Sequence, residues 1–184
     1  MEIKSIQQSG YTLRILTDDH PESPADWVTL GRIAYTSDRY TLGTEHVSQE
    51  RAQEILDGIE DGSLFGLPVY AYVHGGATIS TRPFSCPWDS GQSGFVYCRA
   101  SDAEDWWDAD PDPDFRQNAL RVLRRQVETF DQYLRGDVYG YTITDKNGDV
   151  VDSCWGFYGI ECAEEEALSA LNYWAEKQGE LFAA

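Results

Sequence analysis

Positive charge is scarce in this chain. Fourteen Lys and Arg stand against thirty-two Asp and Glu in 184 residues, a formal net charge of -18 at pH 7. Solubility of a small domain asks for a net charge of only about 2–8. The shortage of bases disfavours direct binding to nucleic acid or an anionic membrane surface, because the phosphate term that dominates such contacts would be repulsive. A basic partner is favoured instead. No apolar run approaches the ~20 residues that cross a bilayer. The opening MEIKSIQQSGYTLRIL lacks the apolar segment and small-residue cleavage site of a secretory signal. The expected location is therefore cytoplasmic.

Cysteine pairs at metal spacing are also missing. Cys86, Cys98, Cys154 and Cys162 form no C-x-x-C and match no zinc interval. Free thiols suit a reducing compartment, although the sequence leaves a disulfide open. There is no G-x-x-x-x-G-K and no G-x-G-x-x-G after a strand, so no phosphate cradle and no cofactor is expected. Asp145, Asn147 and Asp149 alternate as in a calcium loop. Yet Gly148 falls at loop position four and Gly156 at twelve, where that loop needs Gly at six and Glu at twelve. The stretch reads as a type I′ hairpin turn, and no metal is expected.

What the chain does hold is a core. Hydrophobic residues make up 41% and aromatics 13%, enough for a globular fold. Strands are expected at 11–16 and in GRIAYT, a helix from Ser48 to Ile59 stopped by Gly62, and a hairpin around His74-Gly75-Gly76 with FVYC as a third strand. Ser101-x-x-Glu104 fits a capping box. Asp112-Pro113 fits the start of a helix over 113–135 with Phe115, Ala119, Val122, Leu123, Val127, Phe130 and Leu134 on one stripe. A last helix is expected from about Ala163. Hairpin-linked strands with helices between them predict an α+β fold: one domain over 1–184, with a mainly antiparallel sheet of five to seven strands and three main helices.

Two stretches could carry function. Residues 101–114 hold seven acids and no base: Asp102, Glu104, Asp105, Asp108, Asp110, Asp112 and Asp114, with Trp106 and Trp107 among them. Duplex DNA carries one charge per ~1.7 Å of axis, and carboxylates along one surface can imitate that field. The tryptophans would serve as interface anchors. Smaller clusters occur at Glu54, Asp57, Glu60 and Asp61 and at Glu161, Glu164, Glu165 and Glu166. A merely solvated face explains the same composition. The second stretch is FSCPWDSGQSGFVYC, residues 84–98. Cys86 with His74 as base and Asp89 nearby suggests a thiol enzyme, or a ligand loop that includes Trp88 and Gln92. The acidic surroundings work against a thiolate there. The bland alternative is a structural loop whose prolines and glycines fold Trp88 back over the sheet, with Asp89 accepting from the Ser90-Gly91 backbone. Arg116, Arg121, Arg124, Arg125 and Arg135 cluster on the 113–135 helix, read as a solvated face that pairs with nearby acids or as a local anion site.

PFSCPWDSGQSGFVYC, VETFDQYLRGDVYGY and VDSCWGFYG, in that order, resemble a family of phage- and prophage-encoded proteins with a C-P-W-D-S-G-Q segment and a D-S-C-W-G-F-Y-G segment. The resemblance spans roughly 64–160 and takes in W-x-x-L-G at Trp27–Gly31. That family has no assigned activity, so no catalytic residue carries over, and the 101–114 insertion departs from it. The resemblance implies an accessory gene acting in a host bacterial cytoplasm. The resulting expectation is a non-enzymatic viral protein for evasion of host defence. It would act as a DNA mimic, anti-CRISPR or antirestriction, occupying the basic groove of a nucleic-acid-binding host complex.

Overall fold

A computed structural model describes residues 1–86, 88–106 and 114–183. The strands, in chain order, are β1 (Glu2–Gln8), β2 (Tyr11–Thr17), β3 (Arg32–Tyr35), β4 (Glu45–His46), β5 (Leu64–Val73), β6 (Ala77–Ser80), β7 (Ser90–Arg99), β8 (Val138–Thr144) and β9 (Val150–Tyr158). The helices are α1 (Gln49–Asp61), α2 (Ala100–Trp106), α3 (Phe115–Arg135) and α4 (Ile160–Ala183). The chain is α+β and mainly antiparallel, as expected. Among the described residues its nine strands form two sheets, where one sheet of five to seven strands was expected. The path divides into two compact units. Ser23–Arg135 is continuous, and Met1–Glu22 is joined by Gly136–Ala184.

The split unit orders its sheet β1-β2-β8-β9, every neighbour antiparallel. Leu13 and Ile15 of β2, with Tyr141 and Ile143 of β8, alternate onto one face and are buried. They meet Ala163, Ala167 and Leu171, spaced four apart on α4. β1 escaped the sequence reading because MEIKSIQQ is mostly polar. The signal was Ser9-Gly10, where φ values of 50° and 79° link the paired residues Gln8 and Tyr11 as a two-residue type I′ turn. The turn expected to be type I′, at Asn147-Gly148, is another kind. Gly148 N–H donates to Asp145 O at 3.0 Å and only Gly148 has positive φ, at 90°. That is a type I turn closed by a left-handed glycine, with Asp in its preferred first position.

The continuous unit orders its sheet β4-β3-β7-β5-β6, with only β3 and β4 parallel. Strand alternation gives it two buried faces. Ile33, Val69, Ala71, Val96 and Cys98 pack against Ala119, Leu123, Val127 and Phe130 of α3. Ala34, Phe95 and Tyr97 face the other way and pack with Ile55 of α1 and with Val47 just before that helix. The helices thus cover opposite faces of one sheet. α1 forms where expected, with the Ser48 side chain accepting from Arg51 N–H at 3.1 Å and Gly62 closing the helix at φ 83°. α3 likewise ends at Gly136, φ 67°. The proposed start at Asp112-Pro113 lies outside the described residues. Ser101 does not cap α2, which already begins at Ala100, and its hydroxyl lies 3.3 Å from Asp102 Oδ1. At the sheet centre a Cβ on Gly94 would meet Ala34 O at 1.9 Å, so β3 and β7 approach closely only because this residue is glycine.

Candidate functional site

The acidic segment is partly in view. Asp102, Glu104 and Asp105 are exposed on α2, with Trp106 45% exposed at its end and Asp114 exposed just before α3. Trp107, Asp108, Asp110 and Asp112 lie outside the described residues. Asp102 has a local consequence: burial, helped by its charge, pushes the Cys98 thiol up to about 11. Cys98, buried on β7, is a core thiol, as its strand position implied.

A second acidic surface is fully described. Ile55 and Gly58 point α1 into the core, which turns Glu50, Glu54, Asp57, Glu60 and Asp61 outward, all exposed. Arg51 crosses to Glu54 at 2.7 Å and is the one base on this helix. Asp61 accepts from Ser63, and those hydrogen bonds hold its carboxyl below the usual range, so its charge persists into acid. Behind the helix Tyr97 donates to Glu45 at 3.0 Å. No acidic side chain among the described residues is buried, and Glu2, Glu54, Glu164 and Asp131 pair with Lys or Arg there.

The residues of the Cys86 loop do come together. His74 Nδ1 lies 3.5 Å from Asp89 Oδ2, and the Cys86 thiol lies 4.0 Å from the same oxygen. The order is unsuitable for an activated thiol, because the carboxylate stands where the base should meet the sulfur. The Ser90 hydroxyl donates to Cys86 O and Gln92 donates to Gly94 O at 3.4 Å, so both brace the loop. Two expectations need correction. Trp88 does not fold over the sheet; it is 91% exposed. Asp89 turns to His74 and Cys86, not to the Ser90-Gly91 backbone. No group of three metal-ligating side chains occurs among the described residues.

The α3 arginines also differ from the expected network of pairs. Arg135 meets Asp131 at 2.9 Å, whereas Arg116 lies over the Phe65 ring at 5.5 Å and Arg121 donates to Asn118. Arg124 and Arg125 are exposed with no ion pair among the described residues. Spacing along the chain marks the cluster but does not place it, because its role depends on which strand lies opposite. No helix among the described residues is long and apolar enough to cross a membrane. No known family model, curated protein or solved structure matches the chain.

Proposed function

We propose that the protein inhibits a nucleic-acid-binding host complex by presenting a nucleic-acid-like acidic surface to its basic groove. Anti-CRISPR or antirestriction action is the concrete form. The observation that carries this reading is the outward acidic stripe of α1. At ~1.5 Å per residue, Glu50 to Asp61 covers about 16 Å, a length in which one strand of a duplex places about five phosphates. α1 offers five exposed carboxylates, one of them answered by Arg51. Its linear charge density is thus close to that of a nucleic-acid strand. The exposed acids of α2 and Trp106 extend the list of contact candidates. Attraction of this kind speeds encounter and is weakened by salt.

The test is phage plating on a bacterial host that carries a restriction or CRISPR system and expresses this protein. Plating of the targeted phage should rise with the wild type. The rise should vanish with Glu50→Gln, Glu54→Gln, Asp57→Asn and Glu60→Gln combined, at an unchanged melting temperature. Undiminished plating with this variant removes α1 as the contact. No rise against any representative system removes the function.

A further inference from the structure

The opposite face of the same sheet points to a different ligand. Between α3 and the chain that runs from β6 through Phe84 lies a groove of ≈ 580 Å³, within the range of small-molecule sites of about 300–1,000 Å³. Its walls are tied together by Asp131. One carboxylate oxygen accepts from the Thr78 hydroxyl at 2.5 Å and from Ile79 N–H at 2.8 Å, and the other accepts from Arg135 at 2.9 Å. The groove is therefore held in shape before any ligand arrives.

Two arginines enter from opposite walls, Arg82 after β6 and Arg124 from α3. Neither guanidinium has an ion pair among the described residues, in a chain where acids outnumber bases more than two to one. Because Asp131 and Arg135 answer one another, Glu128 is the one other acid in the described lining, and the lining keeps a positive balance. Thr81 and Gln132 add uncharged donors to the lining. Phe84, 5.9 Å from the Tyr72 ring, supplies an aromatic wall. Planar guanidinium forks match phosphate oxygens in pairs. Two of them on facing walls suit a dianion better than a single carboxylate, and an aromatic wall suits a flat ring.

We propose that this groove binds a small phosphate ester carrying a planar ring, a ligand of the mononucleotide type. The site is separate from the acidic stripe, so the two readings stand or fall independently. Calorimetric titration at low salt with AMP, adenosine and inorganic phosphate tests it. AMP should bind, with adenosine and phosphate each at least ~10-fold weaker, a ratio worth about 1.4 kcal/mol. Arg124→Gln and Arg82→Gln should each weaken AMP about 10-fold or more, and the double variant should abolish its heat. Arg121→Gln, whose side chain is held by Asn118, should change nothing. Adenosine binding as tightly as AMP overturns the phosphate contact, and phosphate alone binding as tightly overturns the ring contact. No AMP binding up to about millimolar concentration, or binding insensitive to the double variant, overturns the whole proposal.

Discussion

The two helices that cover the five-stranded sheet carry opposite surfaces. α1 buries Ile55 on one face of the sheet and turns five carboxylates outward. α3 buries Ala119, Leu123, Val127 and Phe130 on the other face and turns out arginines, two of them into a groove. A net charge of -18 is thus an average over faces that differ in sign of purpose. Total charge set the expectation of a basic partner, yet it says nothing about a local anion site. Only the field near a given groove decides what enters it.

The largest effect should come from damage to the sheet that both helices share. Gly94→Ala drives a Cβ into the Ala34 carbonyl and should cost about 3 kcal/mol, read as a lower urea midpoint with both faces loosened together. Asp131→Ala should cost about 2–3 kcal/mol, because Thr78 and Ile79 lose their acceptor. That change separates the faces. Amide exchange should rise along β6 and α3 and stay unchanged along α1. Gln126→Ala removes a two-way clip, Gly31 N–H to Oε1 at 3.1 Å and Nε2 to Gly31 O at 3.2 Å. About 1–2 kcal/mol should be lost, again on the α3 side only.

Cys98 reports on that side without a mutation. Its folded pKa of about 11 is raised above the ordinary 9.0. Its contribution to stability is therefore intact below pH 9 and fades as the pH climbs toward 11, where only the unfolded thiol ionises readily. At pH 8 iodoacetamide should modify Cys154 and Cys162 while Cys98 stays silent, and Asp131→Ala should speed the Cys98 reaction. The smallest change in stability belongs to the fourfold neutralisation of α1, about 0.5 kcal/mol or less. That variant should nonetheless cause the largest loss of inhibition. A large loss of stability there would mean that these acids are structural, and would erase the contrast between the faces.

Local chemistry was legible wherever a few adjacent residues decide the outcome. Ser48 and Gly62 bracket α1, and His74-Gly75-Gly76 marks the β5–β6 hairpin, with Gly75 at φ 72°. The α3 stripe follows from spacing alone. One turn was misassigned and another went unread. The Asn147-Gly148 pair looks like a type I′ turn, but Asp145 accepts from the Asn147 and Asp149 amides and organises a different one. The polar β1 gives no alternating pattern, so the quieter Ser9-Gly10 signal beside it was missed.

The candidate sites were legible only as lists of residues. Composition marked the 101–114 acids and the Cys86 loop, but the order Cys86–Asp89–His74 depends on how the hairpin and the loop after β6 meet in space. The groove under Arg82 and Arg124 joins positions 42 apart in sequence, and no spacing rule links them.

The sequence by itself determined the class of the fold, the span of α1, the end of α3 and the acidity of the surface, because propensity, caps and charge are properties of neighbours along the chain. Tertiary structure decided which charges share a face and which arginines look into one groove. Those outcomes depend on strand alternation and on the pairing of β5, β6 and β7, which place distant residues side by side.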